Sequence, residues 1–300
     1  MATWNELSNE IAKAVQALGK SVVTVQGRGG RTSSGVIYDE STVITAAHSI
    51  SEQENIRVWI SPDQPIVARI AGRDLGSDLA VLKIDAKLDG SAVFADDPQL
   101  AVGQLVIAVA RTWRGNLVAS AGILSGVMGE WHTFRGKKIE AFIRPDLTLY
   151  HGFSGGALIA PDQKIIGMNT AGLRRGSPLT LPYSTIKRIA PILVEKGHLP
   201  SPYLGVGLQP VRVPESLKQK LNLTQHAGAL VVHVEEDGPA DQAGILMGDI
   251  LLKVGEATFG EERTTSILSR LNPQQSAIVI GIRGGQQFSS NINVGQRPQR

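Results

Sequence analysis

Apolar positions along the chain follow a helical spacing first and a strand spacing afterwards. Between residues 4 and 18 they recur every three or four positions, which predicts an amphipathic helix whose apolar face consists of Trp4, Leu7, Ile11, Val15 and Leu18. The next apolar runs are short, β-branched and bounded by Gly, Pro, Asp or Ser, and they predict strands at 21–26, 34–38, 42–45, 56–60, 79–84, 105–110, 138–143 and 164–171. So many short strands indicate an all-β barrel or sandwich.

The pattern changes again near Leu199. Helical spacing at 184–197 ends on Gly197, a residue type that commonly terminates helices, and two prolines follow in a polar run typical of a linker. Further strands are predicted at 203–208, 229–234, 249–254, 276–282 and 288–294, with helices at 214–221, 239–244 and 263–271. We therefore predict three parts, which are an N-terminal helix at 1–19, a β-rich domain at 20–199 and a small α+β domain at 200–300.

The composition of the 300 residues fits a globular protein and excludes several kinds of site. Hydrophobic residues make up 42% and charged residues 19%, which is enough apolar material for a sizeable core. The chain has no cysteine, so disulfides, thiol catalysis and cysteine zinc sites are excluded. The histidines are scattered without an HExxH motif, and no cofactor fingerprint is present, so we predict neither a metal nor a cofactor.

Charge and hydropathy limit the partners of the protein. The 30 basic and 27 acidic residues are not clustered, which argues against a nucleic-acid-binding surface, and the single RGGR run at 28–31 is interpreted as a turn. No apolar run approaches the ~20 residues that a membrane-spanning helix needs. Because the first residues are polar and resemble no signal peptide, we expect a cytoplasmic location, or a periplasmic or envelope location if an export signal has been removed.

Three segments carry the residues of a candidate nucleophilic site. His48 follows an apolar strand in TAAH, Asp78 precedes one in SDLAVLKI, and Ser154 lies in the glycine-rich run HGFSGGAL. Taken singly, His48 is better explained as an ordinary half-buried residue and Asp78 as a turn residue. The glycines around Ser154 are costly to order, but they allow a sharp turn whose N–H groups converge on one point, as an oxyanion hole requires. The order His…Asp…Ser on a β-rich chain favours a serine nucleophile.

These motifs, together with IIGMNTA at 165–171, resemble those of the HtrA/Deg-type serine proteases. In the second half of the chain, YLGVGL at 203–208 and the segment at 228–256 resemble the PDZ domains of that family. The resemblance implies a mainly β protein, with a chymotrypsin-like double β-barrel followed by a small α+β PDZ domain. It also implies a catalytic triad of His48, Asp78 and Ser154 and an oxyanion hole at Gly152, Phe153 and Ser154.

The same resemblance implies two binding sites. An apolar substrate pocket, which would favour cleavage after small or medium aliphatic residues, would be lined by Leu149, Met168, Asn169 and Gly172. The PDZ domain would bind the carboxylate of a peptide on one loop and its apolar side chain in a pocket, using Tyr203, Leu204, Gly205, Val206, Ile267 and Leu268. Ile267 and Leu268 are equally well explained as core residues.

Three residues near the serine depart from the family pattern. Phe153 stands where the family usually has Asn, and Tyr150 and His151 stand where it usually has Asn followed by Pro or Arg. Because these positions shape the oxyanion loop, the resting state of the site stays open. We assign no role to His151, and we interpret His132 as a residue of a surface loop.

We interpret the chain as an ATP-independent serine endopeptidase that degrades unfolded or misfolded proteins. Its partners would be unfolded polypeptides and hydrophobic C-terminal peptides, and the family resemblance implies a homotrimer in which Trp4 and the 4–18 helix take part. One alternative is a peptide-binding chaperone or scaffold with an inactive or latent protease site, which the residues around Ser154 favour. Another is a hydrolase of small esters, against which the PDZ resemblance argues.

Overall fold

The computed structural model describes residues 3–27, 30, 32–50, 56–60, 65–112, 115–174, 177–260, 267–268, 271 and 273–296. The chain separates into two compact units, one of residues 1–133 and 138–199 and the other of residues 134–137 and 200–300. The first unit contains two closed β-barrels, and the second contains a six-stranded sheet and a two-stranded one. No helix within the described ranges is long and apolar enough to span a membrane.

Helix α1 (Trp4–Gly19) confirms the helix predicted from the apolar spacing. Thr3 and Glu6 form a capping box at its start, where the Glu6 N–H donates to Thr3 Oγ1 at 3.3 Å and the Thr3 N–H donates to Glu6 Oε2 at 2.5 Å. The predicted apolar face is buried only toward the C-terminal end of the helix. Leu18 packs into the core of the first unit, whereas 83% of Trp4 is exposed.

The first barrel consists of antiparallel strands that neighbour one another in the order β1-β2-β3-β6-β5-β4. Their bounds are Val22–Gln26 for β1, Thr32–Asp39 for β2, Thr42–Ala46 for β3, Ile56–Trp59 for β4, Pro65–Asp74 for β5 and Leu79–Ile84 for β6. Strands β1, β3 and β6 are buried on both faces, which is why the sequence shows them as continuous apolar runs.

The second barrel has the strand order β11-β14-β13-β12-β7-β8, and helix α2 (Tyr183–Lys196) follows it and ends at Gly197 in the left-handed conformation, as predicted. The short strands β9 (Trp131–His132) and β10 (Lys138–Ile139) form a separate hairpin. The bounds of the barrel strands are Leu105–Arg111 for β7, Leu117–Met128 for β8, Phe142–Asp146 for β11, Ala157–Ile159 for β12, Ile165–Thr170 for β13 and Leu179–Pro182 for β14.

A shared apolar core joins the two barrels. In β6, Leu79 and Val81 face this shared core, while Ala80 and Leu82 face the interior of the first barrel. The alternation follows from the two-residue period of a strand. On the other side of the shared core, the second barrel contributes Met168 and Leu181. The two barrels therefore form one packed body, and loops from both can meet at its edge.

The prediction of strands in the first unit was incomplete. Strands β5, β8 and β14 were not predicted, because they contain Pro, Gly, Ser and Ala where a strand signal relies on β-branched and aromatic residues. The strand predicted at 138–143 is wrong as one element, since it is divided between β10 and β11. Within the RGGR run at 28–31, residues 28, 29 and 31 lie outside the described residues.

The second unit is built on one antiparallel sheet with the order β16-β17-β18-β20-β21, to which β19 adds beside β18. The strands are Pro202–Tyr203 (β15), Val206–Arg212 (β16), Ala227–Val234 (β17), Ile250–Val254 (β18), Ala257–Thr258 (β19), Ser276–Arg283 (β20), Gln286–Asn293 (β21) and Gly295–Gln296 (β22). The helices are Glu215–Leu221 (α3) and Pro239–Gln242 (α4). Most of the helix predicted at 263–271 lies outside the described residues. The expected fold class, two barrels followed by a small α+β module, is confirmed.

Candidate active site

His48 and Asp78 meet because β3 and β6 pair side by side, with Ala46 opposite Leu79. The His48 backbone N–H donates to Asp78 Oδ1 at 2.8 Å, and His48 Nδ1 lies 2.7 Å from Asp78 Oδ2. Asp78 has a left-handed backbone with φ of 59°, an unusual conformation that recurs where side chains are held for function. The carboxylate is therefore bound twice by one histidine.

Thr170, which the sequence analysis gave no role, completes the surroundings of Asp78. Its hydroxyl donates to Asp78 Oδ2 and accepts a hydrogen bond from the Gly172 N–H at 2.9 Å. The Asp78 side chain is 2% exposed, so its charge is held by these donors instead of by solvent. The hydrogen bond from His48 to Asp78 raises the pKa of the histidine above its ordinary value, although burial acts in the opposite direction.

The glycine-rich turn holds Ser154 between β11 and β12. The Phe153 N–H donates to the Tyr150 carbonyl at 3.1 Å, and Gly152 has a φ of 93°. This combination defines a type II turn over residues 150–153, which needs glycine at its third position. Within the described part of the chain, the backbone N–H groups of Gly152 and Ser154 have no acceptor. They can therefore donate to an oxygen atom of a bound molecule.

Phe153 anchors this turn in the second barrel. Its ring is 2% exposed and packs in the barrel interior with residues such as Leu158 and Ile143. The Tyr150 ring lies 5.9 Å from it and is 65% exposed. The residue that departs from the family pattern therefore adds apolar contact beneath the turn. His151 is exposed beside it.

The Ser154 hydroxyl is hydrogen-bonded to the segment after β13 and not to the histidine loop. Its Oγ accepts from the Ala171 N–H at 3.4 Å, and His48 Nε2 lies 3.4 Å from the Ser49 hydroxyl. Among the described residues, no hydrogen bond joins His48 to Ser154. Hydrogen bonds of catalytic groups are often long or absent before substrate binds and tighten in the complex.

The residues predicted for the substrate pocket occupy different environments. Leu149 and Gly172 are partly exposed. Met168 is fully buried in the shared core, and Asn169 is fully buried with its side chain donating to the Ala157 carbonyl at 2.8 Å. The backbone of Asn169 also pairs with the serine turn. Met168 and Asn169 therefore present no surface to a substrate in this structure and act from within the core.

The residues predicted for peptide binding lie on and below the edge of the second sheet. Strand β16 is the terminal strand of that sheet and begins at Val206, which is partly exposed; just before it, Gly205 is buried and Tyr203, on β15, is partly exposed. Leu204 and Ile267 are buried in the core of the unit, and Leu268 packs against the same core from a partly exposed position. An edge strand with an open side can accept a further strand.

No metal site accompanies this arrangement in the residues that the structure describes, because none of their His, Asp and Glu side chains cluster in groups of three or more. The interpretation of His132 as a surface-loop residue is wrong, because His132 lies half-buried on β9. The polar groups of the candidate active site are therefore His48, Asp78, Thr170, Ser154 and the free N–H groups of its turn.

Comparisons with known proteins agree with this architecture. The family model of trypsin-like peptidase domains matches residues 33–168, and that of PDZ domains matches residues 202–294. A probable periplasmic DegP-like serine endoprotease of Rickettsia conorii is 32% identical over 229 residues, covering 74% of this chain and 44% of its own length. One of Brucella suis is 29% identical over 276 residues, covering 88% of this chain and 52% of its own length.

Solved structures give the same result. The serine endoprotease from Yersinia pestis superposes with a TM-score of 0.71 at 26% identity, covering 96% of this chain and 98% of that one. The HtrA-type protease AlgW with a tripeptide superposes with a TM-score of 0.69 at 26% identity, covering 96% and 98%.

The two barrels and the module that follows them define the class of chymotrypsin-like serine proteases with an attached PDZ domain. Within that class, the chain belongs to the HtrA/Deg-type family. It spans about half the length of the curated relatives it matches.

Proposed function

We propose that the protein is an ATP-independent serine endopeptidase that cleaves unfolded or misfolded polypeptides, with Ser154 as nucleophile. The observation that carries the proposal is the His48–Asp78 pair beside a serine turn with two unpartnered N–H groups. A serine hydroxyl alone is a weak nucleophile, and an adjacent imidazole held by a carboxylate is the usual means of activating it. The family relatives named as serine endoproteases support the same reaction.

The reaction follows from the positions of the protons. Asp78 holds the proton of His48 on Nδ1, so the Nε2 atom of the neutral imidazole is free to accept one. Ser154 Oγ bonds to the peptide carbonyl carbon as its proton passes to Nε2. The carbonyl oxygen becomes an anion and accepts hydrogen bonds from the N–H groups of Gly152 and Ser154. His48 then gives its proton to the leaving amine, and water, activated by the same histidine, releases the acyl group.

The surroundings support a preference for aliphatic residues before the cut. Two of the residues predicted to line the pocket are partly exposed. Leu149 directly precedes the serine turn and is apolar, and Gly172 has no side chain. We infer cleavage after small or medium aliphatic residues and not after Lys or Arg, since neither Leu149 nor Gly172, the two partly exposed residues of the predicted pocket, carries a charge.

The PDZ domain would recognise peptides. We infer that hydrophobic C-terminal peptides add along β16, because it is the edge strand of its sheet and PDZ domains bind by strand addition. We further propose a homotrimer involving the exposed Trp4 end of α1, and a periplasmic or envelope location. The relatives named as probable periplasmic DegP-like endoproteases support that location.

The test compares the wild type with Ser154→Ala. Both are incubated with a fluorophosphonate probe and, separately, with reduced casein. We expect labelling and cleavage by the wild type and neither by the variant, because the probe bonds to an activated serine oxygen. Cleavage that persists in Ser154→Ala at the wild-type rate would exclude Ser154 as nucleophile.

A second candidate, a peptide-binding chaperone with a latent protease site, is favoured by one observation. The described residues contain no hydrogen bond between His48 and Ser154. If the wild type suppresses aggregation of unfolded casein but neither cleaves it nor reacts with the probe, even with hydrophobic C-terminal peptides present, the chaperone replaces the protease.

A further inference from the structure

Ser34, on strand β2 of the first barrel, contacts the turn that carries Ser154. Its side chain is fully buried, and its Oγ lies 2.7 Å from the Gly152 carbonyl oxygen, 3.1 Å from the Arg111 carbonyl oxygen and 3.0 Å from the Arg111 backbone nitrogen. A hydroxyl has one proton to donate. The shorter contact directs that proton to Gly152, while the Arg111 N–H donates to the Ser34 oxygen.

The backbone of Ser34 makes a second connection to the same turn. Its N–H donates to the Ser154 carbonyl at 2.9 Å, and its own carbonyl accepts from the Thr45 hydroxyl at 2.6 Å. Ser34 thus holds the carbonyls of Gly152 and Ser154, which flank the peptide that joins Phe153 to Ser154. The Ser154 N–H belongs to this middle peptide, so fixing both neighbouring peptide planes restricts its direction.

The turn also lies directly against the backbone of Ser34. Gly155 has a φ of 87°, and a Cβ there would overlap the Ser34 carbonyl oxygen. Ser34 and His48 are further connected, because β2 pairs with β3, with Gly35 opposite Thr45, and His48 follows β3. A displacement of Ser34 would therefore change the position of the serine turn relative to the histidine.

We propose that Ser34 is a positioning residue that sets the oxyanion donors and the nucleophile of the second barrel against the histidine of the first. The proposal rests on the proposed protease function. Ser34 is bonded to Gly152, Ser154, Thr45 and Arg111 and touches none of the reacting atoms, so its effect passes through the turn. Its loss destabilises the transition state, in which the N–H groups donate hydrogen bonds to a developing oxyanion, more than it weakens substrate binding.

The chain offers two matched controls. Ser33, the preceding residue, is 3% exposed and its hydroxyl has no hydrogen-bond partner. Ser33→Ala therefore removes a buried hydroxyl without removing a hydrogen bond. Thr185, which is fully buried on α2, donates its hydroxyl to the Glu140 carboxylate and accepts from the Glu140 N–H at 3.1 Å. Thr185→Val therefore removes a buried, hydrogen-bonded hydroxyl whose partner lies outside the serine turn.

The experiment measures kcat and KM on a peptide substrate, together with the affinities for a peptide boronate and for the product peptide. Boronates form a tetrahedral adduct with the serine, so their binding requires the oxyanion donors. For Ser34→Ala we expect kcat and boronate affinity to fall by about 10-fold to 100-fold, with KM and product affinity within about twofold of wild type. Ser33→Ala and Thr185→Val should retain the wild-type kcat, whatever their melting temperatures.

Equal kcat values for Ser34→Ala and Ser33→Ala would overturn the proposal, as would a Thr185→Val variant that loses kcat as much as Ser34→Ala does. If Ser34→Ala does not fold, Ser34→Cys takes its place, since a thiol is a weak donor and should show the same selective loss of kcat. A wild type that neither cleaves nor binds boronate would instead overturn the proposed function, on which this inference depends.

Discussion

At the scale of the residue, Gly172 shows how little space surrounds the candidate catalytic pair. A Cβ at this position would lie 2.7 Å from His48 Nδ1 and closer still to Asp78 Oδ2. The sequence analysis placed Gly172 in the substrate pocket. The structure adds a second reason for glycine there, because the backbone passes directly against the histidine–carboxylate pair.

Gly172→Ala is therefore expected to lower kcat/KM on a peptide substrate by about 10-fold to 100-fold, because a displacement of a catalytic group by about 1 Å costs on that order. Gly129→Ala is the matched control, since a Cβ at Gly129 would meet nothing within 4 Å and its backbone is not left-handed. A Gly172→Ala variant as active as Gly129→Ala would show that the pair adjusts without loss.

The sequence motifs predicted the residues that bear the chemistry, but not the residues that hold them. His48, Asp78 and Ser154 stand in recognisable local contexts, and the structure brings the first two into direct contact. Thr170 and Ser34 were given no role, because a buried threonine or serine on a strand looks like many others in the sequence. Their contacts appear only when strands distant in sequence lie side by side.

At the scale of the element, Arg111 on β7 connects the end of α1 to the second barrel. Its guanidinium donates to the carbonyls of Gly19 at 2.9 Å, Val22 at 2.6 Å and Gly115 at 2.6 Å. The last turn of α1 contains no basic residue, so Arg111 supplies the cation and the donors that the carbonyl end of a helix needs. Burial lowers the pKa of Arg111 from its ordinary value.

Arg111→Met should reduce the free energy of unfolding of the first unit by roughly 3 kcal/mol, since hydrogen bonds to charged groups contribute about 1.5–3 kcal/mol each and buried carbonyls would lose their donor. Urea unfolding measures this change. Arg69→Met is the control, because the ion pair of Arg69 with Asp85 is largely exposed and its loss should cost less than about 1 kcal/mol. Equal losses for the two variants would contradict the role assigned to Arg111.

At the scale of the whole molecule, each unit contains a carboxylate held by an arginine. In the first unit, burial acts to raise the pKa of Glu140, but hydrogen bonds from Arg188 and Thr185 outweigh it and the pKa lies below its ordinary value. In the second unit, burial of Asp249 is likewise outweighed by hydrogen bonds from Arg283 and the Leu246 N–H, and its pKa is also lowered.

Acid should therefore weaken both units. A carboxylate whose folded pKa is lowered adds stability above its unfolded pKa of about 4, and that stability is lost as pH falls through the folded value. We expect the melting temperature to fall between pH 5 and pH 2, and Asp249→Asn to reduce this pH dependence in the second unit while leaving the first unchanged. Calorimetry at several pH values measures the melting temperature of each unit. Glu140→Gln is the reciprocal variant, which should reduce the pH dependence of the first unit. A variant with the wild-type pH dependence would exclude Asp249 as a source.

Features that depend on neighbours along the chain follow from the sequence alone. The spacing of apolar residues predicted α1 and most strands, because helix and strand periodicity are local properties. The glycines around Ser154 and the flanks of His48 and Asp78 predicted the kind of chemistry. The sequence also has a phenylalanine at position 153, but the location of its ring in the interior of the second barrel is seen only in the structure.

Strand pairing and the contacts between distant side chains depend instead on the folded chain. Thr170 lies 92 residues from Asp78, and Ser34 lies 118 residues from Gly152, yet each pair is hydrogen-bonded. Such contacts require the closing of long loops, whose entropic cost is met by burying apolar surface throughout both barrels and the core between them. The arrangement of the candidate active site is therefore a consequence of the whole packed body and not of any one segment.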